Sequence, residues 1–315
     1  MAITINHVMS NDVQSQIFDD ILGYFKRHSQ RFTHQVSEQA VHGAMIRHYH
    51  RPNLESDLLA PAVVTVHHDL TETDEWLHFS KYERQYRQAD MIICLNRTQQ
   101  EILGKAGITQ TTVIPHGFNE SYLRPIAREF DGERKIRLGM FSRRYPRKVK
   151  GEAYFQELTK HLDPDHFSFL LVGRDRSMDA KWTRALGFET KSFETLPYPV
   201  LCSAYEQIDL LLMASRHEGG PANVPEAVAT CTPLAASRVG MAIDFIQEGA
   251  NGLFLTLDPA TDAATLEGLH ETPERMRELF RGAQQAQGSA HPWQSVVTQH
   301  EHIYTDIISR MINLG

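Results

Sequence analysis

The chain has 315 residues, a hydrophobic content of 41% and a formal net charge of −7. That is enough apolar material for two cores of ordinary size, and the wrong sign for a nucleic-acid binder, which needs a basic surface. The three cysteines, Cys94, Cys202 and Cys231, have no metal-type spacing, and so sparse and odd a set points to reduced thiols and a cytosolic chain.

Met1 to Ser10 lacks a basic segment followed by an apolar one, so no signal peptide is expected. No run approaches the ~18 apolar residues that a membrane span needs. The 17 histidines are scattered along the chain and read as drift in composition. Ile3 to His7 reads as a first strand, with Ser10, Asn11 and Asp12 as caps for a helix carrying Ile17, Phe18, Ile21, Leu22 and Phe25 at helical spacing. Its basic end, Lys26, Arg27, His28 and Arg31, suits a helix C-terminus; weak contact with a membrane surface is the sharper alternative. Ala44 to His48 and Ala62 to Val66 read as strands, the second ending in His67, His68 and Asp69. Phe79 to Ala89 reads as helix, Met91 to Leu95 as strand, Thr98 to Ala106 as helix and Thr112 to Ile114 as strand.

Ile126 to Arg134 is polar and reads as a linker, which gives domains of 1–126 and 127–290, with a closing segment of 291–315. Lys135 to Phe141 opens the second domain as a strand, followed by the basic loop SRRYPRKVKG. Helix over Ala153 to Leu162, strand over Phe167 to Val172, and helices over Trp182 to Leu186 and Leu201 to Gln207 follow, with a short strand at Thr190 to Phe193. Asp209 to Met213 is a strand, Ser215 to Asn223 a polar loop punctuated by Gly219, Gly220 and Pro221, and Val224 to Ala229 a helix with Pro225 in its first turn. Phe245 to Glu248 reads as a short helix and Asn251-Gly252 as a hairpin-type turn. Asp262 to Glu267 and Pro273 to Gln287 read as helices, and a last amphipathic helix starts near His291.

Alternating strands and helices imply parallel sheets, whose ligands bind beyond the carboxyl ends of the strands. The polar residues of interest fall at those ends: His67, His68 and Asp69; Arg143, Arg144, Lys148 and Lys150; Arg216 to Asn223; Arg238 to Gly240. A glycine-rich loop running into a helix offers backbone N–H groups to an anion, and carboxylates beside it, Glu218 and Glu226, are natural acceptors for sugar hydroxyls. Asp163-Pro164-Asp165 spells a metal-binding D-x-D but sits where Asp and Pro are ordinary turn residues. His48-x-His50 and His67-His68 lack the companions of a zinc site, and Cys231 reads as packed core.

The run EGGPANVPEAVATCTPLAASRVG, Glu218 to Gly240, resembles the donor-binding signature of GT-B glycosyltransferases, most closely glycosyltransferase family 4, with Pro233, Ala236, Ser237 and Gly240 in register. TVIPHGFNESYLRP, Thr112 to Pro125, resembles that family's exit from its first domain, with His116 where asparagine is common. The family's glycine-rich first loop is not visible, a departure on the acceptor side.

The resemblance implies an α/β, GT-B architecture: two Rossmann-like domains facing across a cleft, the final helix returning to the first. It implies a retaining, metal-independent transferase that needs no cofactor. Such an enzyme moves a sugar from a nucleotide-diphosphate donor to a saccharide or lipid-linked acceptor in surface polysaccharide or glycoconjugate synthesis. Carried over by position, Glu226 would bind ribose, Glu218 the sugar, and Gly219, Gly220, Pro221, Ala222, Asn223 and Val224 the sugar and phosphates. Arg143 with Lys148 or Arg144 with Lys150 would hold the diphosphate, and His67 or His68 would lie near the anomeric carbon. A phosphorylase, an epimerase and a non-catalytic nucleotide-sugar-binding partner subunit are the alternatives.

Overall fold

The computed structural model describes residues 3–9 and 16–314. The caps expected at Ser10, Asn11 and Asp12 lie outside the described residues, as does the side chain of Ile17. The chain divides into two compact units, residues 1–117 with 291–315, and 118–290. The division falls ahead of the polar stretch Ile126 to Arg134 read as the linker. Arg128 supplies the reason: its guanidinium donates to the Tyr205 carbonyl at 2.7 Å, to Cys231 O at 3.1 Å, to Thr232 Oγ1 at 2.6 Å and to Ile208 O, which fastens this stretch to the second unit.

Unit 1 contains β1 (Ile3–Val8), α1 (Gln16–His28), β2 (Phe32–Ser37), β3 (Ile46–Tyr49), β4 (Ala62–Val66), α2 (Glu83–Gln88), β5 (Met91–Cys94), α3 (Arg97–Lys105) and β6 (Thr111–Val113). Its sheet runs β2-β1-β3-β4-β5-β6 with every pairing parallel. A strand buried on both faces needs a continuous apolar run, which AVVTV of β4 supplies. Strand β2 escaped the sequence reading because FTHQVS sits at the sheet edge and needs no such run.

Unit 2 contains β7 (Ile136–Phe141), α4 (Glu152–His161), β8 (Phe167–Val172), α5 (Arg176–Ala185), β9 (Glu189–Phe193), α6 (Tyr198–Ala204), β10 (Leu210–Met213), α7 (Asn223–Ala229), β11 (Leu234–Ser237), α8 (Ala242–Phe245), β12 (Gly252–Leu255), α9 (Pro259–Glu271) and α10 (Pro273–Ala286). The parallel order is β12-β11-β10-β7-β8-β9. Leu138, Met140, Phe155, Phe169, Leu212 and Leu266 are among the residues of its core. Helix α5 begins well before Trp182, because the charges that disguise its first turn, Arg176 and Asp179, pair with each other in the interior at 2.7 Å. Asn251-Gly252 is not a hairpin turn: β12 pairs in parallel with β11, and the buried Asn251 side chain closes a local loop by accepting from Gln247 N at 2.7 Å and donating to Phe245 O at 2.9 Å.

The last helix, α11 (Trp293–Leu314), belongs to unit 1. Trp293, Val297, Tyr304 and Ile308 pack with Ile5, Phe25, Ile46 and Val63. Among the described residues no helix is long and apolar enough to cross a membrane. Beneath α1 and α11 the structure gathers histidines that are dispersed in sequence: His7, His34, His48, His50, His67 and His300 make ring contacts with one another. Side chains alternate across a strand, so His7 shares a face with Ile5, His48 and His50 with Ile46, and His67 with Val63.

Burial holds these rings neutral. It lowers His34 and His300 to about 4 and His50 to about 3. His7, His48 and His67 fall well below the ordinary histidine range, first by burial and then by the charge of neighbouring rings. Every shift is downward, so below pH ~6.5 the unfolded chain takes up protons that the folded one refuses. Stability is therefore fully present above that pH and is lost as pH falls towards 4 and 3, by ~1.4 kcal/mol per pH unit for each such ring. Urea unfolding at pH 7.5 and pH 5 should show a loss larger than one ring supplies, and hydrogen exchange should open β1 and β3 first. Equal urea midpoints at the two pH values would contradict the neutral cluster.

Candidate functional site

Strand order reverses between β7 and β10, and the loops leaving those neighbours diverge at the carboxyl edge of the sheet. A ligand site is expected in that gap. Two glycines let the loops close on it. Gly151, at φ +76°, sits so tightly against Ala214 O that a Cβ would collide with it. Gly240, at φ +54°, would place a Cβ 2.9 Å from Glu218 Cβ and 3.1 Å from Gly219 O. The Arg216 amide donates to Val149 O at 2.8 Å and stitches the loop after β10 to the loop after β7.

The basic loop separates into structural and available cations. Arg144 pairs with Asp179, whose side chain is fully buried, and Arg176 binds the same carboxylate at 2.7 Å. Arg176 also donates to Ser142 O at 2.7 Å and Ser142 Oγ at 3.0 Å. Arg144 is thus engaged in holding α5 to the loop. Arg143 is exposed, its guanidinium 4.2 Å from the Tyr145 ring centre. Lys148 is exposed at φ +53°. Lys150 forms an ion pair with Glu218, and its ammonium lies 5.4 Å from the same Tyr145 ring. Arg143 and Lys150 thus flank the ring of Tyr145, with Glu218 paired to Lys150; sequence reasoning passed over this tyrosine although it stands among the cations of the loop. Arg238 lies over Phe254 at 3.8 Å, towards the last strand.

Glu226 is 7% exposed. Tyr198 donates to its Oε1 and Tyr205 to its Oε2, each at 2.8 Å. Burial raises its carboxyl to about 7, and the two hydroxyls pull the other way. Neither tyrosine was identified in the sequence; their signal is only that they border α6, in the stretch just before β10. Pro221 and Val224 are buried, Gly220 and Ala222 partly exposed, and Asn223 Oδ1 is a buried acceptor without a hydrogen-bond donor. Asp163 and Asp165 sit before β8, at the amino edge of the sheet, where Asp163 accepts from the Asp165 amide at 2.8 Å. They are not part of this arrangement.

In unit 1, His67 and His68 take opposite faces beyond β4. His68 is buried, stacked 3.9 Å from Tyr82, and its carbonyl accepts from Gln99 Nε2 at 2.8 Å. Burial lowers it to about 3. His67 is partly exposed, edge-on to Phe18 at 4.7 Å, with Nε2 3.0 Å from His50 Nδ1. His7, His48 and His50 offer nitrogens that all lie within 4.8 Å of one another.

Residues 135–271 match the family model described as Glycosyl transferases group 1. A D-inositol 3-phosphate glycosyltransferase of Thermobispora bispora is 28% identical over 116 residues, 36% of this chain and 27% of that protein. Its namesake in Thermomonospora curvata is 29% identical over 110 residues, 35% of this chain and 25% of that protein. The chain thus spans about a quarter of the length of the curated relatives it matches. Among solved structures, sucrose-phosphate synthase from Thermosynechococcus elongatus superposes with a TM-score of 0.76 at 15% identity, covering 98% of this chain and 100% of that one. Anabaena Alr3699/HepE in complex with UDP and glucose superposes with a TM-score of 0.73 at 16% identity, covering 96% of this chain and 100% of that one. At such identities the likeness is one of fold.

The division among the arginines has a direct consequence. Arg144→Ala leaves buried Asp179 with one cation and should lower stability by ~1–3 kcal/mol. Arg143→Ala, at an exposed position, should change the melting temperature little. Calorimetric melting of both variants checks this, and the reverse ranking would show that the loop is held differently.

Proposed function

We propose that this chain, which has the GT-B fold and carries a glycosyl transferases group 1 domain over residues 135–271, is a retaining glycosyltransferase. It takes a sugar from a nucleotide-diphosphate donor to a saccharide or lipid-linked acceptor. The observation that carries the reading is the meeting, at the strand-order reversal and inside the matched region, of the loop after β7, which bears Arg143, Lys148 and Lys150, with Glu218 of the loop after β10, through the Lys150–Glu218 ion pair.

The chemistry follows from charge. As the glycosidic bond breaks, the leaving diphosphate gains negative charge, and cations fixed beside it stabilise that state more than the bound donor. Arg143, Lys148 and Lys150 take this role, and Arg144 does not. Lys150 is paired with Glu218. An arriving diphosphate competes for the ammonium and frees Glu218 to accept from sugar hydroxyls. Glu226 accepts from the ribose hydroxyls, sharing its carboxylate with Tyr198 and Tyr205. No carboxylate of unit 2 is assigned as a covalent nucleophile. The working mechanism is a same-face displacement in which the leaving phosphate takes the acceptor's proton. With cations supplied by the protein, the reaction needs no metal. The UDP complex of the Anabaena protein makes uridine the first base to test.

Binding of UDP, measured by calorimetry in excess EDTA, should weaken by roughly 1–3 kcal/mol in Glu226→Ala, the loss of ribose hydrogen bonds. Unchanged affinity would remove Glu226 from the site, and transfer that is abolished by EDTA and restored by Mn²⁺ would end the metal-free reading.

The histidine on the donor-sugar side is assigned to His67, because His68 is stacked under Tyr82. His67→Ala should lower turnover while UDP affinity stays nearly intact, the pattern of an interaction made mainly in the transition state. Undiminished sugar transfer by this variant would exclude it.

A further inference from the structure

The histidines of unit 1 form an ordered row. His34 Nδ1 lies 2.7 Å from His7 Nε2, His7 Nδ1 lies 2.9 Å from His50 Nε2, and His50 Nδ1 lies 3.0 Å from His67 Nε2. Each ring therefore meets the next through the same pair of atoms. The outer end is partly exposed His67, just past β4, and the inner end is His34 on β2, whose Nε2 is buried without a hydrogen-bond partner.

A metal centre does not account for this. Nitrogens sharing a tetrahedral zinc stand roughly 3.4 Å apart, given Zn–N bonds of about 2.0–2.1 Å. The His7–His50 contact is shorter than that, at hydrogen-bond length. His48, the third ring nearby, has both nitrogens engaged, one 2.7 Å from Tyr304 Oη and the other 2.7 Å from Thr65 Oγ1.

Counting protons settles the row's polarity. Burial keeps its rings neutral, so each carries one N–H. Each of the contacts needs one hydrogen. One hydrogen then remains for the two ends of the row, His34 Nε2 and His67 Nδ1. A buried N–H without an acceptor is rarer than a buried lone pair without a donor. Glu301, whose charge reaches His34, does not supply that acceptor: among the described residues no carboxylate oxygen lies within hydrogen-bond reach of His34 Nε2, and Glu301 Oε1 accepts instead from Ser29 Oγ at 2.6 Å, Gln30 N at 3.0 Å and Arg31 N at 3.1 Å. The remaining hydrogen thus sits on His67.

We propose that His34, His7 and His50 are positioning residues that hold His67 in its Nδ1–H tautomer, so that its outer nitrogen is a fixed hydrogen-bond donor to a sugar oxygen and not a base. The inference rests on the assignment of His67 to sugar transfer. It agrees with a mechanism in which the leaving phosphate, and no histidine, removes the acceptor's proton. A row of rings also resists rotation of any one of them, which orients His67 as well as setting its tautomer.

The test is a two-bond ¹H–¹⁵N correlation spectrum of the full chain with labelled histidine at pH 7.5, assigned by single substitutions. His34, His7, His50 and His67 should all show the neutral Nδ1–H pattern. In His50→Leu the constraint is lost: His67 should gain Nε2–H signal, and turnover should fall about 2–10-fold, the equivalent of one hydrogen bond, with KM for the nucleotide sugar unchanged. His50→Gln, whose amide N–H can donate to His67 Nε2, should recover the Nδ1–H signal and part of the turnover. Nε2–H on any ring of the row in the unsubstituted protein overturns the proposal, as does a divalent metal copurifying at one per chain. If the unsubstituted protein transfers no sugar, the transferase reading fails, and the spectrum still decides whether the row exists.

Discussion

The constraint on which the second unit depends is the reversal of strand order in an all-parallel sheet. A helix must follow each strand on one face or the other, and where the winding changes direction two neighbouring strands send their loops apart. That gap lies between β7 and β10. The basic loop follows β7 and the glycine-rich loop that carries Glu218 follows β10. Opposite charges from distant parts of the sequence meet there because the backbone leaves room for them, and Lys150 and Glu218 pair in that space.

Around the gap, tight packing decides which charges are available. Gly151 and Gly240 bring backbone against backbone where a side chain would not fit. Arg144 and Arg176 converge on Asp179 and take no further part. A buried carboxylate between two arginines is a fixed element of the fold, whereas Arg143 and Lys148 of the same loop are exposed, where a ligand's charge can reach them. Glu226 illustrates the opposite case: a buried carboxylate that accepts from the Tyr198 and Tyr205 hydroxyls, raised to about 7 by burial, gains by accepting further donors.

The first unit uses burial differently. It carries His7, His34, His48, His50 and His300 inside, neutral, between a sheet and two helices. Water cannot satisfy them there, so ring nitrogens turn to one another and to Tyr304 and Thr65. A buried polar network of this kind is costly when half satisfied and rigid when complete.

The sequence by itself determined the parallel α/β architecture, since apolar runs such as those of β4 and β8 must be covered on both faces, and alternating strands and helices cover them. It also determined the loop over Glu218 to Gly240, because Pro225, Gly240 and the paired glutamates state local backbone demands that neighbours in the chain can meet. It did not show β2, whose polar strand is held by pairing with β1, nor the start of α5, whose charges pair inside. It left Arg143 and Arg144 equivalent, and His67 and His68 likewise. Only the tertiary structure separated them, because the deciding partners, Asp179 and Tyr82, reach them through the fold and not through the local chain pattern. The histidines carry the same lesson. Spaced along the chain they read as drift in composition, and parallel pairing with a period of two places His7, His48, His50 and His67 on one face, where exclusion of water obliges them to bond to each other and to their neighbours.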